Sequence, residues 1–124
     1  MVKITIIIPV YNAALSLKRC IESIRVQTYS FFDLILINDG SVDGSAKICD
    51  EYVKKDSRIH VIHQNNRGPS AARNAGIEWS FENSESNYLA FIDSDDCIHP
   101  NYLERLYCAL IDNDAEVSAC KHRY

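Results

Sequence analysis

The stretch Tyr88-Leu89-Ala90-Phe91-Ile92-Asp93-Ser94-Asp95-Asp96 joins an unbroken apolar run to a cluster of carboxylates. The run predicts a strand buried on both faces, the usual state of strands in a parallel sheet covered by helices. Open α/β sheets hold ligands just beyond the carboxyl ends of such strands. Three carboxylates crowded at that place repel one another unless a cation offsets their charge. If the chain stays extended, Asp93 and Asp95 point to one side, because strand side chains alternate with period two. Two hard oxygen donors on one side suit Mg²⁺ or Mn²⁺, the common partners of a diphosphate. The junction predicts a metal–diphosphate site.

Upstream of it, strands alternate with helices. Residues 3–10 predict a strand ended by Pro9 and the Tyr11-Asn12 turn. Over 15–26, Leu17, Cys20, Ile21 and Ile24 form the apolar stripe of a helix. Residues 34–37 make a second short strand that runs into the turn Asn38-Asp39-Gly40-Ser41. A helix over 45–55 buries Ile48, Cys49, Tyr52 and Val53, and 59–63 makes a third strand. Pro69 suits the first position of the next helix. Ala72, Ala75, Gly76 and Trp79 share a side of it, and the small residues among them let its backbone approach the sheet. After the acidic junction, Pro100 opens a last helix with Leu103, Leu106, Tyr107 and Leu110 inward, and 115–120 reads as a fifth strand. This order predicts a three-layer α/β/α fold with a mostly parallel sheet and right-handed crossovers. A chain ending on a fresh strand is expected to be the amino-terminal part of something longer.

Composition narrows the function. The 124 residues, 47% hydrophobic and 24% charged, suit one ordinary globular domain. Thirteen basic against seventeen acidic residues give a net charge of −4, with no basic stripe for nucleic acid. The apolar runs are too short to span a bilayer. The segment 4–10 is too short for a signal peptide, contains Pro9 and lacks a cleavage site after it. Five widely spaced cysteines predict reduced, core-filling thiols in a cytosolic protein rather than a disulfide framework. The four histidines have no zinc-ligand spacing with them.

Three strand ends converge in this layout, at Pro9–Asn12, Asn38–Ser41 and Asp93–Asp96. No glycine lies between Tyr11 and Leu17, which excludes the dinucleotide-binding turn and the P-loop. An ionised Asp39 is acceptor-only and would select a base offering an N–H, with Tyr11 packed on its ring. The blander reading makes Asp39 a turn cap and Tyr11 core, with Asp43 the more natural cap for the following helix. Arg73, in the first turn of its helix, is either a surface ion pair or a planar partner for phosphate, a role also open to Arg67.

Taken together, four segments resemble family-2 glycosyltransferases with the GT-A nucleotide-binding fold. They are Ile7-Ile8-Pro9-Val10-Tyr11-Asn12; Asn38-Asp39-Gly40-Ser41 with Asp43-Gly44-Ser45; Asn66 through Gly68, Ser70, Ala72-Arg73-Asn74 and Gly76; and Phe91-Ile92-Asp93-Ser94-Asp95-Asp96. An isolated Asp-x-Asp is weak, but four matched segments in order cover nearly the whole chain. The resemblance implies a Rossmann-like donor-binding part in which Pro9, Tyr11, Asn12, Asp39, Arg73, Asp93 and Ser94 contact the nucleotide sugar. It implies that Asp95, with Asp93, binds Mn²⁺ or Mg²⁺. The implied reaction is inverting transfer from a nucleoside-diphosphate sugar, a UDP-sugar first, to a glycan or lipid-linked acceptor hydroxyl. Cell-surface glycan or polysaccharide synthesis is its implied setting, in the cytoplasm or at the inner face of the membrane. The family's general base belongs to a later segment, and no residue of this chain matches it. A sugar nucleotidyltransferase is the nearest rival, although it would carry a glycine-rich loop after the first strand; a non-catalytic nucleotide-binding module is the other.

Overall fold

A computed structural model describes residues 2–112. Four strands, β1 (Ile4–Val10), β2 (Phe32–Asp39), β3 (Ile59–Gln64) and β4 (Tyr88–Phe91), form one sheet in the order β3-β2-β1-β4, with every pair parallel. The helices are α1 (Leu17–Arg25), α2 (Ser45–Lys55), α3 (Pro69–Asn83) and α4 (Tyr102–Asp112). Side chains of β1 alternate between two cores. Ile4, Ile6, Ile8 and Val10 join Leu17, Cys20, Ile21 and Ile24 of α1, Ile48 and Cys49 of α2 and Leu103 of α4. Ile7 joins Ile35, Ile37 and Ala72 on the opposite face, under α3. The expected three-layer α/β/α arrangement is thus present. The fifth strand expected at 115–120, Cys120 and the inward Leu110 lie outside the described side chains.

The sheet reverses direction between β1 and β4. Chain order runs one way from β1 through β2 to β3, with α1 and α2 on one face; α3 then crosses the other face to reach β4. Crossovers of a single hand require that change of face. The crevice beyond β1 and β4 is therefore the switch point at which open α/β sheets bind ligands. Close packing of α3 matters here: a Cβ on Gly76 would lie 2.5 Å from Ile7 Cγ2, so only glycine lets the helix sit this near β1.

Two expectations about strands need correction. Pro9 lies within β1 rather than ending it. The Ile7 carbonyl accepts the Ile92 N–H, so Pro9, two residues on, faces the side from which β4 has already turned away. No ladder bond is lost there. The run at 88–92 is not buried on both faces: β4 is an edge strand among the described residues, with Leu89 37% and Phe91 46% exposed. α3 covers β1 and β2 but leaves that flank of β4 open. At the last helix, Pro100 lies two residues ahead of α4 rather than opening it. Buried Gln27 docks that segment, its Oε1 accepting the Leu103 N–H at 3.0 Å and its Nε2 donating to the His99 carbonyl at 2.7 Å.

Candidate functional site

A cavity of about 510 Å³ opens at the switch point, lined by Pro9, Val10, Tyr11, Asp39, Asn66, Gly68, Pro69, Ala72, Arg73, Asp93 and Ser94. That volume is of the size that holds small ligands. Six of the residues singled out from sequence, Pro9, Tyr11, Asp39, Arg73, Asp93 and Ser94, meet on its wall. Asn12 and Asp95 are not among the lining residues. Tyr11 is 54% exposed at the mouth, which removes the reading of its ring as core.

The β1 and β2 ends are clasped together. Asn12 takes a left-handed backbone (φ 49°), a conformation that asparagine tolerates better than most residues. Its N–H donates to Ser41 Oγ at 3.0 Å, and its Oδ1 accepts the Val42 N–H at 2.9 Å. The Ala13 N–H reaches Ser45 Oγ at 2.9 Å and the Ala14 N–H reaches Asp43 Oδ2 at 3.2 Å. Asp43 Oδ1 accepts the N–H of Ser45, the first residue of α2, at 2.9 Å, although Gly44 rather than Asp43 holds the cap position. The Asn12 side-chain oxygen is thus engaged in the clasp.

Asp39 does something no local signal announced. It is 3% exposed, and its Oδ1 accepts the Gln64 side-chain amide at 3.0 Å and the Arg67 N–H at 2.9 Å, while Oδ2 accepts the Gly68 N–H at 3.0 Å. Its carbonyl takes the Asn66 side-chain amide at 3.1 Å. Burial would push this carboxyl up, but the hydrogen bonds from Gln64, Arg67 and Gly68, with the Arg67 charge behind them, outweigh it and hold it below the ordinary carboxylate range. Asp39 therefore anchors the loop between β3 and α3 rather than capping its own turn. An ionised carboxylate has about four acceptor positions, so roughly one remains for a ligand. Gly40, at φ 73°, makes this approach possible: a Cβ there would stand 2.6 Å from the Asn66 backbone nitrogen. Asn66, Gly68, Pro69 and Ala72 line the cavity without having been singled out as ligand contacts. Gly68-Pro69 at a helix start was the signal for them, since a helix amino terminus facing a cleft favours anions.

On the other wall, the carboxylates meet for a reason different from strand alternation. The chain does not stay extended: the Asp96 N–H donates to the Asp93 carbonyl at 3.0 Å, closing a turn. That turn brings one oxygen of each of Asp93, Asp95 and Asp96 within 4.8 Å of one another. Three carboxylates so close, two of them exposed, fit a hard divalent cation. Arg73 Nη2 stands 3.9 Å from Asp93 Oδ1. With both groups about half exposed, that pair adds little to stability. From beneath, Ser16 Oγ donates to the Ser94 carbonyl at 3.1 Å and the Cys20 thiol to the Asp93 carbonyl at 3.5 Å. Burial, and then the Asp96 charge, pushes the Cys20 thiol up to about 12. Among the described cysteines, Cys20 and Cys49 fill core as expected, whereas Cys97 is half-buried and Cys108 exposed.

Residues 5–124 match the model of the family Glycosyl transferase family 2. The chain belongs to that family. It is 44% identical over 116 residues to the glycosyltransferase GlyA of Streptococcus pneumoniae, covering 94% of this chain and 16% of GlyA. It is 39% identical over 115 residues to GlyG of the same organism, covering 92% of this chain and 37% of GlyG. The chain thus spans well under half the length of these relatives. Staphylococcus aureus TarS 1–349, solved with UDP-GlcNAc, superposes with a TM-score of 0.77 at 27% identity, over 90% of this chain and 31% of that one. The mannosyltransferase PcManGT of Pyrobaculum calidifontis, solved with GDP-Man and Mn²⁺, shares the fold with a TM-score of 0.72 at 18% identity, over 86% of this chain and 32% of that one. The fold of this family-2 member is accordingly GT-A.

Proposed function

We propose that this chain is the donor-binding part of an inverting glycosyltransferase that uses a UDP-sugar and a divalent cation. One observation carries the reading. A single cavity at the switch point joins an aromatic ring, a buried carboxylate, a guanidinium and the acidic turn, in a chain 27% identical to a protein solved with UDP-GlcNAc. Tyr11 offers its exposed ring to the base. Asp39 holds the loop that walls the base pocket and keeps about one acceptor position for an imide N–H. Arg73 faces the diphosphate and balances its charge against Asp93. Asp95 and Asp93 would hold Mn²⁺ or Mg²⁺, with Asp96 beside them; when bound, the ion neutralises charge on the leaving diphosphate. In the reaction, the acceptor oxygen bonds to the anomeric carbon from the face opposite the diphosphate, whose bond breaks as the hydroxyl proton passes to a general base. No described residue is assigned as that base. On family likeness alone, the acceptor is a glycan or lipid-linked hydroxyl at the cytoplasmic face of a membrane.

Titration calorimetry with UDP, with and without Mn²⁺, tests the reading. The wild-type chain is expected to bind more tightly with the ion, and Asp95→Ala to lose about tenfold or more of that gain while unfolding within about 0.5 kcal/mol of wild type. Equal affinity in excess chelator would remove the cation from the reading.

A further inference from the structure

A chain of four side chains runs from solvent to the clasp beneath Tyr11, and the family reading leaves it unassigned. Asp50 of α2 lies 2.8 Å from His63 Nε2, His63 Nδ1 lies 2.9 Å from the Asn38 side-chain nitrogen, and Asn38 Oδ1 accepts the Ser41 N–H at 3.2 Å. Ser41 Oγ then accepts the Asn12 N–H at 3.0 Å. Asn38 and His63 are register neighbours on β2 and β3, so the sheet itself aligns them. Donor and acceptor logic allows one assignment. Because Asn38 Oδ1 serves the Ser41 N–H, its NH₂ faces His63; Nδ1 must therefore accept, and Nε2 must carry the hydrogen given to Asp50.

We propose that His63 is a positioning residue for the donor site: its neutral Nε2–H tautomer fixes the Asn38 amide, which fixes the Ser41 turn and, through Asn12, the backbone that carries Tyr11. A second proton on the ring would set Nδ1–H against the Asn38 NH₂. Rotating that amide would only move the conflict to the Ser41 N–H, so the clasp loosens. The charged element packed against His63 is α2, with Lys47, Asp50, Glu51, Lys54 and Lys55, of which Asp50 is bonded to the ring; β2 contributes the uncharged Asn38. The inference rests on the donor-site reading only in its last step, from the clasp to the ligand.

The test separates the two. In the ligand-free chain, ¹⁵N spectra of His63 are expected to show an unprotonated Nδ1 at pH 8. The Ser41 amide is expected to lose at least about tenfold of its hydrogen-exchange protection factor at the pH where those spectra show both ring nitrogens of His63 protonated. His63→Asn, which keeps an acceptor oxygen near the Nδ1 position and has no proton to gain, should hold that protection constant. An Nδ1–H tautomer at pH 8, or equal pH profiles for wild type and His63→Asn, overturns the proposal. Binding of UDP-GlcNAc, whose diphosphate diester does not titrate in this range, should weaken about tenfold from pH 8 to 5.5 in wild type but not in His63→Asn. A relay seen in the spectra beside pH-independent binding would overturn the link to the donor site. Relay signals with no binding at pH 8 would support the relay and count against the UDP-sugar reading instead.

Discussion

The two walls of the cavity are built on opposite plans. The wall from β1 and β2 is tied down by its own chain: Asn12, Ser41, Asp43 and Ser45 cross-link two loops, and a nearly inaccessible Asp39 fastens a third. The wall from β4 is short, lies at the sheet edge among the described residues and shows two of its three carboxylates to solvent. One side satisfies many of its polar groups through its own hydrogen bonds. The other gathers three carboxylates, with Arg73 beside one of them, an arrangement that a bound cation would favour. On the proposed reading, shape selection would belong to the first wall and charge-dependent capture to the second.

That contrast can be broken most severely under α3. Ile7 and Phe91 are register partners on adjacent strands, yet Ile7 is fully buried and Phe91 is 46% exposed. Ile7→Ala is expected to cost about 4 kcal/mol in urea unfolding, as truncation in a packed core does. Asp39→Ala comes next, at about 3 kcal/mol, because it strands the Arg67 and Gly68 N–H groups. It should also weaken nucleotide binding without any metal; affinity equal to wild type would leave Asp39 a loop anchor alone.

Acid sharpens the same comparison. The folded-state pKa of Asp39 is lowered, and that of Asp56, held chiefly by the Arg58 side chain, falls to about 2. A carboxylate of this kind stabilises fully above its unfolded value of about 3.9, and the gain is lost as pH falls through the folded one. Stability should therefore decline from about pH 5 toward pH 2. Asp56→Asn should start from a lower plateau and show a shallower decline; an unchanged acid slope would count against the Arg58 pairing. The smallest effect is expected at Phe91→Ala, below about 1 kcal/mol, since much of that ring is already in water. A cost matching that of Ile7→Ala would mean that the β4 flank is covered in solution.

Much of this was legible in one dimension. The stripe Leu17, Cys20, Ile21, Ile24 is wholly buried, α2 spans the residues that its pattern marked out, and Gly76 sits where a small residue was needed. Periodicity carries such features because neighbours in the pattern are neighbours in space. What was misread depends on distant partners. An apolar run does not tell whether a helix covers each face of its strand, so 88–92 reads in sequence as doubly buried although Leu89 and Phe91 are exposed. The acidic residues were expected to converge by alternation, whereas a turn brings them together. Asp39 finds its donors 25 to 29 positions later, with nothing adjacent to signal them. The link from Asn38 to His63 was hidden in the same way, since it exists only in the strand register.

Thiol chemistry offers a consequence of the floor beneath the acidic turn. Cys20, sealed there with its proton tightly held, and the buried Cys49 should resist alkylating reagents, whereas Cys97 follows Asp96 directly and is partly accessible. With Cys108 and Cys120 replaced, a fluorophore on Cys97 would sit one residue from the carboxylates, and its emission could follow cation arrival in real time.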